Sequence, residues 1–117
     1  MKMASIPGYH IIAELHNCPR EKLERADTLK EILLEISRKA GFESVGSVFY
    51  QFEPFGATGV VLIKTSHISA HTWPEHGYVA LDIYSCAGSK LAEKALELSI
   101  KKFEAGKVKV KRVRRFR

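Results

Sequence analysis

Cysteine is scarce in this chain: Cys18 and Cys86 are the only two among 117 residues. They could close at most one bridge, which excludes the disulfide-framework class of small secreted domains, and a reducing compartment would keep both as free thiols. Long apolar runs are missing too. No stretch approaches the ~20 residues that cross a bilayer, and Met1-Lys2-Met3-Ala4-Ser5-Ile6-Pro7 lacks the apolar core of a secretion signal. The expectation is a cytoplasmic chain with no membrane partner. There is no linker, low-complexity segment or short-period repeat. Metal-ligand spacing is also absent: His67 and His71 do not sit on a helical pattern and no second pair has zinc-site spacing, so no metal centre is expected.

What is present fits one domain spanning residues 1–117. At 45% hydrophobic residues the chain can bury a core, although a domain of this size buries only roughly two-thirds of its unfolded surface and often gains stability by oligomerising. The net charge of +6 comes from the tail, where Lys107, Lys109, Lys111, Arg112, Arg114, Arg115 and Arg117 cluster; without them the chain is near neutral. Clustered cations are the footprint of a nucleic-acid-binding module. Here Val108, Val110 and Val113 alternate with them, which reads instead as a half-buried edge strand whose charges block edge-to-edge aggregation.

Tyr9 to Leu15 reads as a first strand. Glu21 to Ala40 reads as a helix with Leu29, Ile32, Leu33, Ile36 and Ala40 on one side, Thr28 and Glu31 at capping-box spacing near the start of its regular part, and Gly41 as its stop. Ser44 to Phe52 and Thr58 to Lys64 read as a hairpin around Glu53-Pro54-Phe55-Gly56, and Ser69 to Trp73 and Tyr78 to Tyr84 as another around Pro74-Glu75-His76-Gly77. Lys90 to Phe103 reads as a second helix, followed by a strand at Val108 and Val110. The resulting β-α-β-β-β-β-α-β order predicts an α+β fold, a two-layer α/β sandwich with helices on one face of a mainly antiparallel sheet. The other face needs a cover, and a homodimer formed through it or through a sheet edge is the simplest supply.

The densest chemistry lies in Lys64-Thr65-Ser66-His67-Ile68-Ser69-Ala70-His71-Thr72-Trp73-Pro74-Glu75, which packs two histidines, several hydroxyls and an acid into one run. Followed by Gly77-Tyr78-Val79-Ala80-Leu81-Asp82-Ile83-Tyr84-Ser85-Cys86, it closely resembles the signature of the small prokaryotic S-adenosylmethionine decarboxylases. The similarity extends back through Glu14-Leu15-His16-Asn17-Cys18 to Tyr9-His10. It implies a proenzyme that cuts itself between Thr65 and Ser66, giving chains 1–65 and 66–117, with Ser66 converted to a pyruvoyl cofactor.

The same resemblance assigns roles. Ser66 attacks the Thr65 carbonyl to form an ester, and His71 takes the Ser66 α-proton so that the Thr65 carboxylate leaves; a neutral imidazole with pKa ~6.5 suits that step. Thr58 holds the position of a supporting hydroxyl in processing. The pyruvoyl ketone forms a Schiff base with the substrate amine and draws in the electrons left by carbon dioxide. Cys86 maps to the proton donor, Phe52 to the aromatic that stacks on adenine, and Glu75 to the acid that binds ribose hydroxyls. The implied product is the aminopropyl donor of spermidine synthesis. Relatives decarboxylate arginine or ornithine, and Thr65 stands where a glutamate is common, so the small-molecule substrate stays open between these classes. Taken alone, Trp73 and Phe52 read as core aromatics and Cys18 as a small buried hydrophobe.

Overall fold

Period-two alternation builds the sheet. In β1 (Tyr9–His16) the residues Tyr9, Ile11, Ala13 and Leu15 are buried while His10, Ile12, Glu14 and His16 point the other way. The computed structural model describes residues 8–116. Five further strands complete the sheet: β2 (Ser44–Gln51), which is exposed along most of its length, β3 (Ala57–Ile63), β4 (Ser66–Trp73) and β5 (Tyr78–Ser85), which alternate as β1 does, and β6 (Lys107–Arg114), where the alternation is weaker. All neighbours are antiparallel, in the order β2-β3-β4-β5-β1-β6. Two helices, α1 (Ala26–Ala40) and α2 (Ser89–Lys102), cover one face, α1 over β2 and β3, α2 over β1 and β5, and they touch each other. The architecture is the two-layer α+β sandwich that the pattern predicts.

The helices earn their position through apolar spacing. Leu29, Ile32, Leu33, Ile36 and Ala40 of α1 are all buried, as their spacing predicts, and Gly41 ends the helix in the left-handed conformation. From α2 the buried side is Ala92, Ala95, Leu96 and Ser99, with Phe103 sealed just beyond its end. Small residues there let α2 lie close to the sheet. Gly59 does the same under α1: a Cβ at that position would sit 2.4 Å from the Phe49 ring, so only glycine lets that ring cross the strand.

Three local readings differ from the structure. The helix starts at Ala26, after a separate 3-10 turn at Arg20–Lys22, and Arg25 rather than Thr28 holds its N-cap position. No side chain of that residue caps it. The first helical N–H is instead taken by the Gln51 side-chain oxygen, and the Gln51 amide donates to Glu24 O and Gly56 O, so the cap arrives from a strand remote in sequence. The fourth strand begins at Ser66, three residues before the expected Ser69, because Ser66 to Ile68 pair with β3 across the Lys64-Thr65 turn. Both cysteines are free and buried, as the composition predicts.

Thr72 is a buried polar junction. Its hydroxyl donates to Leu23 O at 2.7 Å and accepts from Ala57 N–H at 2.9 Å, joining the loop before α1 to β3 and β4. Thr72→Val keeps the shape and strands both backbone groups, so it should cost about 2–3 kcal/mol. Urea unfolding should show a lower midpoint at unchanged slope.

Candidate functional site

The sequence-predicted residues form two clusters at opposite ends of β4. At its beginning, the two-residue turn Lys64-Thr65 returns the chain so that Ser66 pairs with Ile63. Ser66 is 5% exposed, and its hydroxyl oxygen accepts the Cys86 N–H at 3.2 Å. Cys86 lies one residue past β5 and is 4% exposed. Ser66 and Cys86, twenty positions apart in sequence, are thus in direct contact. Neither Thr65 nor Ser66 has a positive φ, so the turn is made without left-handed backbone.

At the other end of β4, Thr58 and His71 stand opposite each other in register, with Thr58 Oγ1 2.9 Å from His71 Nδ1. Here the β3–β4 register decides the contact: a shift by one residue would send these side chains to opposite faces. The neutral tautomer that donates Nδ1–H to Thr58 leaves Nε2 free to take a proton. Both side chains line a cavity of about 390 Å³ shared with Phe52, Phe55, Trp73 and Glu75. The proposed adenine and ribose residues therefore sit beside the proposed processing pair. Phe52 and Trp73 are 49% and 40% exposed, which corrects the reading of them as core aromatics.

Ser66 and His71 are not brought together within one chain. They are five residues apart along one strand, a separation of ~17 Å, and five is odd, so their side chains leave opposite faces of the sheet. Ser66 is buried on the helix side and His71 is exposed on the open side.

Several residues on the open face were not singled out by sequence reasoning. Trp73 is 5.4 Å from Tyr78 and 6.3 Å from His71, and Tyr78 stacks on His16 at 5.1 Å, which makes an aromatic row across three strands. At the Ser66 end, His67 stacks on Tyr84 at 5.8 Å, and His10 approaches Asp82 at 3.2 Å. Burial, reinforced by the neighbouring His10, holds the His67 imidazole below its usual range, with Asp82 opposing. The readable signal was alternation: His67, Tyr84, Asp82 and His10 all occupy the parity that faces away from the helices.

A larger hollow of about 720 Å³ beside the end of α1 holds none of these residues. Its acid Glu35 is held below the usual carboxylate range by hydrogen bonds from Lys102 and Lys39 and so is already neutralised. Among the described residues, no group of three or more His, Cys, Asp or Glu side chains converges as a metal site, and no helix is long and apolar enough to cross a membrane.

Known proteins of one family resemble this chain along most of its length. The family model for S-adenosylmethionine decarboxylase matches residues 9–116. An S-adenosylmethionine decarboxylase proenzyme of Archaeoglobus fulgidus is 46% identical over 99 residues, covering 85% of this chain and 88% of the relative. One from Persephonella marina is 45% identical over 94 residues, 80% of this chain and 71% of that protein. The crystal structure of the adenosylmethionine decarboxylase from Aquifex aeolicus superimposes with a TM-score of 0.90 at 35% identity, over 94% of this chain and 91% of that one. With a family match along nearly the whole described chain and a superimposable fold in a solved relative, the chain belongs to the S-adenosylmethionine decarboxylase family.

Proposed function

We propose that this chain is a self-processing, pyruvoyl-dependent S-adenosylmethionine decarboxylase that cleaves itself between Thr65 and Ser66. The observation that carries the reading is the Thr58–His71 contact on the wall of a cavity that Phe52 and Glu75 also line. One imidazole–hydroxyl pair stands beside a flat ring and a carboxylate, the groups that a nucleoside substrate needs. His71 removes the Ser66 α-proton through its free Nε2 while the Thr58 hydroxyl supports the processing intermediate. Phe52 lies against adenine, and Glu75 accepts the two ribose hydroxyls.

The residues around position 66 fit a pyruvoyl group. The Cys86 N–H points at the Ser66 hydroxyl oxygen; that oxygen leaves with the Thr65 carboxylate, which frees a backbone donor beside position 66, where water supplies the ketone oxygen and ammonia departs. When formed, the group supplies an electrophilic carbonyl that takes the substrate amine and draws in electrons as carbon dioxide leaves. Cys86, beside it, holds the proton that replaces the lost carboxylate.

The separation of Ser66 from His71 supports a homodimer that shares its sites. The open face exposes Val48, Tyr50, Val60 and Leu62, an apolar surface that a second copy would cover. A two-fold axis lying in that face and crossing the strands carries one end of β4 onto the other. The Ser66–Cys86 end of one protomer then meets the His71 cavity of its partner, and the Thr65–Ser66 bond, at the rim of the sheet, is reached around the strand end. An axis along the strands would not bring these ends together.

Self-cleavage is checked by intact mass and borohydride trapping. The expected result is one chain ending at Thr65 and one with a blocked residue 66. Ser66→Ala should abolish cleavage and His71→Ala should stall it, while Cys86→Ala should cleave at least in part yet decarboxylate poorly. A single full-length chain with an ordinary serine after prolonged warm incubation would refute the reading.

Sharing of sites is tested by co-expressing Ser66→Ala and His71→Ala chains under separate tags. The His71→Ala chain, which keeps its serine, should be cut by its partner's histidine. No cleavage of it in an isolated mixed dimer would refute the shared site.

Substrate is decided by carbon dioxide release from fully processed protein with S-adenosylmethionine, arginine and ornithine side by side. Turnover of S-adenosylmethionine is expected. Turnover of a basic amino acid alone would move Glu75 from ribose hydroxyls to the substrate's distal cation and leave the processing chemistry standing.

A further inference from the structure

Tyr84 is absorbed by none of the roles above, yet its phenol is fixed from every side. The Cys86 thiol donates to its hydroxyl oxygen at 3.5 Å. The His67 ring stacks on its ring at 5.8 Å, the His10 ring meets it edge-on at 5.9 Å, and the Arg115 guanidinium lies 5.7 Å from its centroid. Gly8 closes the remaining side: a Cβ there would fall 2.3 Å from the phenol oxygen, so that oxygen rests against bare backbone. Arg115 N–H in turn donates to Gly8 O at 2.7 Å, which ties the end of β6 to the same spot.

We infer that Tyr84 is the positioning residue for the Cys86 thiol, holding its sulfur in place and, once the thiol proton has been given to carbon, turning its O–H to hydrogen-bond the thiolate that is left. This rests on the reading of Cys86 as proton donor. The proton balance is simple: the thiol proton goes to carbon, the sulfur keeps its electron pair, the phenol O–H points at that sulfur, and water returns a proton afterward. A hydrogen bond to a charged acceptor is stronger than one to its neutral form, so the phenol favours the thiolate. Tyr84 stays protonated to do this, because the hydrogen bond to Cys86 and then burial push its own titration upward, with Arg115 opposing. The charged and titratable groups nearest the pair are His67 from β4, His10 from β1, Asp82 from β5 and Arg115 after β6.

The test uses full-length Ser66→Ala protein, so that thiol chemistry is read apart from turnover, with intact mass confirming one chain. Iodoacetamide alkylation of Cys86 is followed from pH 6 to 11 by the mass of its tryptic peptide. The other thiol is told apart by its own peptide and by burial, which pushes Cys18 up to about 11. Tyr84→Phe keeps the ring and removes the hydroxyl. It should raise the pH midpoint of Cys86 alkylation and slow the rate below that midpoint roughly three- to tenfold. Gly8→Ala, which drives the phenol off the sulfur while leaving the hydroxyl in the chain, should shift the midpoint the same way and decides the matter if Tyr84→Phe does not fold. A change in access alone scales the whole profile without moving its midpoint, and that result, like an unchanged profile, overturns the inference. Normal decarboxylation by processed Cys86→Ala would remove the donor role while leaving a midpoint shift intact, so the two failures are distinct.

Discussion

Everything in this protein depends on one sheet being covered by helices on one side only. Side chains in a strand alternate, so β1, β3, β4 and β5 each bury every second residue under α1 and α2 and send the others to a face with no cover of its own. The inner half is aliphatic and supplies most of the stability, since burying each such side chain is worth roughly 1.5–3 kcal/mol. The outer half is then free to carry histidine, tyrosine, tryptophan and acid. Most of the polar groups of the site occupy those outer positions, whereas Ser66 and Thr72 sit on the inner ones.

That arrangement constrains where reacting groups can meet. Cross-strand neighbours such as Thr58 and His71 are brought together by register, and Ser66 is set against Cys86 where the start of β4 meets the end of β5. Residues along one strand cannot be drawn together at all, because the extended backbone holds them at fixed spacing. Ser66 and His71 are in that position. The proposed sharing of a site between two copies would resolve it without bending the strand, and the apolar open face would give such copies a reason to associate.

The rim of the sheet is managed by charge and small residues. On β6, Lys107, Lys109 and Lys111 face the open side, where they discourage pairing with another sheet edge. Arg112 faces the helices instead and grips Glu93 of α2, which also accepts the Tyr9 hydroxyl at 2.7 Å. The basic tail thus divides into edge protection and a clamp between layers; Val108 and Val110 alternate with the lysines as expected, whereas Val113 pairs with His10 on the open side.

The order of elements and the buried stripe of α1 were legible in the sequence, because periodicity of 3.6 or 2 follows from local backbone geometry and needs no partner. The signature from Lys64 to Cys86 likewise marked Ser66, His71 and Cys86 before any fold was known. Tertiary structure alone decided what those residues touch. The helix cap at Ala26 comes from Gln51, 25 positions away, so local spacing pointed to Thr28 instead. Trp73 and Phe52 look like core residues by type and are exposed, Trp73 because its strand position faces the uncovered side and Phe52 because it lies just past the end of β2. Tyr84 was unremarkable in sequence, and only the convergence of Gly8, His10, His67, Cys86 and Arg115 around it gives its hydroxyl a fixed direction. Local periodicity sets which face a side chain takes, but contacts between segments far apart in sequence depend on strand register and on how loops close, and those are properties of the whole packed chain.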